Sequence, residues 1–174
     1  MAADGPASYV MRPKLLGIGD DFEIKKASRR QGGRMGDTAF YVDNKVGRVC
    51  ETFNLRTSCE GPTVYQIQER KARIRDSMAI EDASGHKVAE LKKRTVGAVR
   101  DNFTVKIWGD RDWQVHGSIN EHNFKINEGG KKIVTVHKNW VAPINDAYFI
   151  DIDEDCDDNA LALMVVIGLE DMTD

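Results

Sequence analysis

Along most of this chain, apolar and polar residues alternate with a period of two. Phe103-Thr-Val105-Lys-Ile107 places three apolar side chains on one face and two polar ones on the other. Phe124-Lys-Ile126, Phe22-Glu-Ile24 and Ile133-Val134-Thr-Val136 read the same way. This is the pattern of a strand with one buried and one wet face. Turn-forming clusters separate the runs: Asp82-Ala-Ser84-Gly85, Gly109-Asp110-Arg111-Asp112 and Asn127-Glu-Gly129-Gly130. Roughly ten to twelve short strands fit the length, spaced as in a sandwich or barrel. The pattern predicts an all-β chain up to its last segment.

Two of the predicted hairpins look like copies. Ile80 precedes a turn ending at Gly85, and Ile126 precedes one ending at Gly130. After each glycine, Lys stands second, a β-branched residue third, Ala or Val fourth, Leu or Val sixth and Lys eighth. The spacing predicts a repeated meander, although two copies are fewer than the three a solenoid requires.

The tail departs from alternation. Tyr148-Phe-Ile150-Asp-Ile152 predicts a strand, and Asp153-Glu-Asp155-Cys-Asp157-Asp158-Asn159 an acidic loop. Ala160 to Leu169 follows as an unbroken apolar run. Asp or Asn ahead of such a run is a helix N-cap signal. The run therefore predicts a helix over about residues 158–169 that is apolar around its whole circumference and so must be enclosed on every side. Ten residues at about 1.5 Å each span about 15 Å, close to a five-residue strand at about 3.3 Å per residue. Such a helix fits along the axis of a barrel of short strands. It is about half the length a bilayer-spanning helix requires.

Composition narrows the function classes. The 174 residues are 41% hydrophobic and 30% charged, which predicts one soluble domain and excludes collagen-like or disordered architecture. Met1-Ala2-Ala3-Asp4-Gly5-Pro6 shows no basic-then-apolar leader, and Cys50, Cys59 and Cys156 have no metal-type spacing. Both observations favour a reducing, cytoplasmic setting. The net charge of −3 conceals a division: ten acidic residues and no Lys or Arg follow from Asp146 onward, leaving 25 basic against 18 acidic residues before it. Either the basic body meets an anionic partner, or the acidic tail folds back and neutralises it.

A barrel wrapped around a C-terminal apolar helix is the arrangement of tubby-type C-terminal domains. The residues resemble one branch of that superfamily, the LURP-one-related proteins. The resemblance is carried by Tyr9-Val-Met11-Arg12-Pro-Lys14-Leu15-Leu16-Gly-Ile-Gly19-Asp20-Asp21-Phe22-Glu-Ile24 and by Phe40-Tyr-Val42-Asp43-Asn-Lys45. Further on, Gly85-His-Lys-Val88-Ala89-Glu-Leu91-Lys92-Lys93, Gly117-Ser-Ile119, Lys138-Asn-Trp140, Asp146-Ala-Tyr148 and the acidic-then-apolar tail carry it too. It extends from Tyr9 to Leu169. It implies a mainly β fold, a closed β-barrel of about 12 short strands around a central hydrophobic C-terminal α-helix. The implied organisation is a flexible N-terminus over 1–8, one barrel domain over 9–170 and a tail over 171–174. Gly32-Gly33-Arg34-Met35-Gly36-Asp37 lengthens the first hairpin loop relative to that pattern, and Gly168 interrupts the helix near its end. Tubby proteins and phospholipid scramblases, to which the family is similar, are associated with phosphoinositides and membrane lipids. The resemblance carries no lipid site across residue by residue.

Local motifs name no reaction. Asp151-Ile-Asp153-Glu-Asp155-Cys-Asp157 opens like a calcium loop, but the required glycine is Cys156 and the required glutamate is Ala162. The loop is expected to be solvated and to cap the helix. His86, His116, His122 and His137 lack ligand spacing and are expected to be polar surface residues. No nucleophile elbow, Walker loop or dinucleotide fingerprint occurs, so no catalytic residue, metal or cofactor is expected.

Basic residues come in three sets: Lys25, Lys26, Arg29, Arg30 and Arg34; Arg70, Lys71, Arg73 and Arg75; Lys92, Lys93 and Arg94. In Arg73-Ile-Arg75 the two guanidinium groups share a strand face, a geometry suited to one anionic ligand. The expected function is a non-catalytic binding module for an anionic lipid headgroup or phosphate, engaged by Arg73, Arg75, Lys92 and Lys93. It would be cytoplasmic or peripheral at a membrane. The alternatives are a protein-interaction scaffold and an enzyme with an unrecognised site. Nucleic acid is not expected as a partner, because the pI is about 5.8 and no aromatic RNA-binding motif occurs.

Overall fold

The computed structural model describes residues 6–11, 21–28, 34–46, 51–68, 77–96, 100–138 and 147–173. Twelve strands and one helix occur among them. The strands are β1 (Ala7–Met11), β2 (Phe22–Ser28), β3 (Arg34–Val46), β4 (Glu51–Arg56), β5 (Thr63–Gln68) and β6 (Ser77–Asp82). They continue with β7 (Lys87–Val96), β8 (Arg100–Ile107), β9 (Arg111–Ser118), β10 (Asn123–Glu128), β11 (Lys131–Lys138) and β12 (Tyr148–Ile152), and the helix is α1 (Asn159–Asp171). Each strand pairs antiparallel with the next, and β1 closes the ring against β12. Closure leaves no unpaired edge to recruit another chain. The mainly β barrel expected from the alternation is what the chain forms.

Alternation decides which side chains enter the barrel. On β8, Phe103, Val105 and Ile107 are buried while Asn102, Thr104 and Lys106 face outward or sit part-buried. On β10, Phe124 and Ile126 point in and Lys125 points out. Both hairpins that look like copies bend at the same place: the register shifts after Ile80 and after Ile126. Gly85 and Gly130 then take φ of +81° and +82°, where a Cβ would be strained.

The first hairpin differs from expectation. Arg34 to Asp37 belongs to β3 rather than to a loop, and Met35 stands opposite Ala27. Register shifts around Lys25 bend this ribbon, and Met35 and Ala27 pack with Val10, Ala147 and Phe149 in a small second cluster. β1 begins at Ala7, so Ala7 and Ser8 are part of the barrel rather than of a flexible leader.

The helix runs two residues past its expected end, through Gly168 to Asp171. Every residue from Asn159 to Glu170 is buried, and Ala162 to Ile167 are fully so. Gly168 lies close against the wall: a Cβ there would lie 2.9 Å from Leu91 Cδ2 and 3.2 Å from Ile67 Cδ1. At the start, Asp158 is extended (φ −144°, ψ 100°) and accepts the Leu161 N–H at 2.8 Å. That is the N-cap the Asp-Asn sequence predicts.

Candidate functional site

An up-and-down barrel places its connections alternately at two ends. The helix N-terminus shares one end with the β6–β7, β8–β9 and β10–β11 turns, and its C-terminus shares the other with the β9–β10 turn. Among the described residues the side chains of α1 fill the interior, and the charged side chains gather at the two rims and on the outer wall.

The acidic loop at the first rim is spent on neighbours. Asp153 pairs with Lys132 at 3.4 Å, Asp155 with Lys131 at 3.2 Å, and Asp157 with Arg111 at 2.9 Å. Arg111 also forks onto Glu128, whose hydrogen bonds hold its guanidinium above the ordinary arginine range. Asp151 accepts the Ser8 hydroxyl and contacts His137 Nε2 at 3.0 Å. Asp158 takes the Tyr65 hydroxyl besides capping the helix, and burial together with that carboxylate raises the Tyr65 phenol. The carboxylates therefore diverge onto separate bases instead of converging on an ion. Of the two sequence readings of the charge division, neutralisation of the body by the tail is the one seen at this rim. Among them Cys156 is fully buried, and burial pushes its thiol up to about 11.

At the opposite rim, sequence reasoning missed a pair. His122 Nδ1 lies 2.8 Å from Glu170 Oε2, and the side chains are only 14% and 4% exposed. The imidazole stacks on buried Tyr148 with centroids 4.8 Å apart. The approach is close but poorly aligned for a hydrogen bond. His122 is thus not the surface histidine expected. It adopts φ +49° in the β9–β10 turn, which turns its ring toward the helix end.

The expected anion site is only partly within view. Arg73 and Arg75 lie outside the described residues. Lys92 and Lys93 are successive on β7 and project to opposite faces. Lys93 shares its face with buried Ala89 and Leu91, and its ammonium sits 5.8 Å from the centroid of the Phe103 ring, its cross-strand partner. Lys92 faces solvent and pairs with Glu90 at 3.2 Å. The two lysines are therefore not brought together on one ligand. Instead, Lys92 shares its wet face with Arg94, two residues on, and both are exposed. Across β8 the same outer face carries Asn102, Thr104 and Lys106, with Thr104 opposite Lys92 and Asn102 opposite Arg94. Arg94 makes no ion pair among the described residues, and Lys106 stands between Glu90 of β7 and Asp112 of β9. On β10, exposed Lys125 stands opposite His116 of β9. Of the first basic set, Lys25 pairs with Glu23 at 3.5 Å and Lys26 is exposed. Arg29 and Arg30 lie outside the described residues.

These features define a class: a closed antiparallel barrel threaded by a buried C-terminal helix, with an acidic loop folded onto one rim. The chain belongs to the LURP-one-related family, whose model matches residues 7–170. No match was found among curated proteins. A crystal structure of an Arabidopsis thaliana protein is similar in fold at a TM-score of 0.68 and 15% identity, covering 99% of this chain and 94% of that one. At that identity the likeness speaks for the fold alone.

Proposed function

We propose that the domain is a non-catalytic binding module for a phosphate-bearing anion, taken on the outer wall of β7 and β8. The observation that supports this most is Arg94, exposed beside Lys92 on one wet face, opposite neutral Asn102 and in no ion pair among the described residues. A cation in no ion pair is a group available to a ligand. The packing of the interior supports a binding role: among the described residues, side chains of α1 occupy the volume where a barrel would otherwise enclose a substrate. Among the described residues no helix is long and apolar enough to cross a membrane, so contact with lipid would be peripheral.

The reading is tested by titrating the protein with inositol hexakisphosphate, and with anionic and neutral vesicles, at low and high salt. Binding that weakens with salt and falls severalfold in Arg94→Glu supports it, because a charge-driven contact is screened. Equal binding by Arg94→Glu and wild type, or no binding to either anionic probe at low salt, would overturn it.

A further inference from the structure

We infer that the tip of the β8–β9 hairpin, built on Trp108, is a docking surface for an arginine-bearing segment of a partner protein. Trp108 is the one large hydrophobic side chain exposed among the described residues, at 57%. Tryptophan left in water is a side chain whose burial a partner completes, and this residue type is among those that dominate protein interfaces. The tip is also held firmly. The Trp108 backbone N–H donates to the Val88 carbonyl at 2.9 Å, and Gly109 and Asp110 close the turn with φ of +104° and +61°. The backbone that carries the ring is therefore set before a partner arrives, which lowers the ordering cost of binding.

The charge around the ring fixes the partner's chemistry. This turn shares its rim with the β6–β7 and β10–β11 turns and with the loop that enters the helix. Residues 82–87, 108–112, 128–132 and 153–158 carry nine carboxylates against four Lys or Arg. Three of those cations are engaged: Arg111 with Glu128 and Asp157, Lys131 with Asp155, and Lys132 with Asp153. Asp110, in the same turn as the ring, and Glu154 are exposed and make no ion pair among the described residues. A surplus of carboxylates repels phosphates and attracts cations. The described residues hold no acidic group able to seat a metal ion, so the surplus faces a partner whose charge is spread out. Guanidinium answers both features of this rim: its plane stacks on an indole and its edge forks onto a carboxylate. An ammonium group offers only a point charge. Neighbouring hairpin tips stand two strands apart, about 10 Å. Several arginines along one extended segment span the ring and the acids together, which a single cation does not.

The test is calorimetric titration of the full chain, at low and high salt, with a short peptide of alternating Arg and Gly, its Lys counterpart, and spermine. The Arg peptide is expected to bind with an affinity that falls with salt, and the Lys peptide to bind severalfold more weakly. Trp108→Leu keeps an apolar side chain but removes the π face, and should weaken the Arg peptide roughly tenfold, with Trp108→Phe in between. Asp110→Asn should weaken it roughly threefold at low salt and less at high salt. The ring is exposed and the hydrogen bond at the turn is a backbone one, so these variants keep the wild-type thermal midpoint. Inositol hexakisphosphate should bind Trp108→Leu as it binds wild type, because Arg94 stands toward the other end of β7. The two readings therefore stand or fall separately. An Arg peptide that binds Trp108→Leu as tightly as wild type, or that ignores wild type at low salt, would overturn the inference. So would spermine binding as tightly as the peptide. Self-association of wild type that Trp108→Leu abolishes would also overturn it, making a second copy the occupant.

Discussion

His122 Nδ1 lies 2.8 Å from Glu170 Oε2, joining the β9–β10 turn to the last turn of the central helix. The pair matters because it seats the β9–β10 turn against the helix end, where the imidazole also stacks on buried Tyr148. His122→Asn, which tolerates the positive φ of this position, is expected to cost about 1–2 kcal/mol in urea denaturation, because it removes the ring from Tyr148 and from Glu170. Glu170→Gln, which keeps the shape of the contact, should cost less. A His122→Asn loss under about 0.5 kcal/mol would show that the ring adds little to the hold on the helix end.

The Asp158 cap allows a sharper double test. Its carboxylate accepts the Leu161 N–H and the Tyr65 hydroxyl together, linking helix start to β5. Asp158→Ala is expected to cost about 2 kcal/mol and Tyr65→Phe about 1 kcal/mol. The double variant should lose clearly less than the two together, since both remove the same hydrogen bond. Strict additivity in the denaturation midpoints would mean that Tyr65 and Asp158 act separately.

How much of this was readable beforehand depended on period and length. Phe103-Thr-Val105-Lys-Ile107 faces inward and outward as its alternation says, because one face of the strand is turned to the barrel interior. The tail from Asp153 to Leu169 was readable because a run apolar on all sides has to be enclosed. The same parity rule that aligned Arg73 with Arg75 sends Lys92 and Lys93 to opposite faces, so that pairing was avoidable. His122 was beyond reach: its burial comes from Glu170 and Tyr148, distant in sequence, and from a left-handed turn conformation that neighbours impose. Trp108 was equally silent, since a tryptophan after a buried isoleucine looks like core in one dimension.

Gly168 tests how tightly the helix is enclosed. Alanine is favoured over glycine in a helix interior by about 1 kcal/mol. Here, however, the new methyl would stand 2.9 Å from Leu91 Cδ2 and 3.2 Å from Ile67 Cδ1, and both partners are fully buried. Overpacking of this kind costs about 1–3 kcal/mol, so Gly168→Ala is expected to destabilise on balance by about 1 kcal/mol. Shortening the neighbour should relieve it: Gly168→Ala with Leu91→Val is expected to lose less than the separate losses imply, by about 1 kcal/mol. A Gly168→Ala protein more stable than wild type would mean that the wall yields to the helix.

Alkaline pH probes the helix start from inside. Burial pushes the Cys156 thiol up to about 11 from an ordinary value of 9.0. The unfolded chain therefore gives up this proton first, and between about pH 9 and 11 the native state binds more protons than the unfolded one. Stability from this group is complete below pH 9 and declines as pH rises to 11, by about 2 kcal/mol in all. The Tyr65 phenol is raised too, chiefly by burial and then by Asp158, and adds a decline of the same sign that begins near pH 10. Thermal midpoints of wild type and Cys156→Ala should therefore run parallel up to pH 8.5 or so and separate above it, the variant falling less steeply. Tyr65→Phe should separate later, above about pH 10. Curves that stay parallel to pH 11 would show that water reaches the Cys156 sulfur, and with it the core at the point where the acidic loop enters the helix.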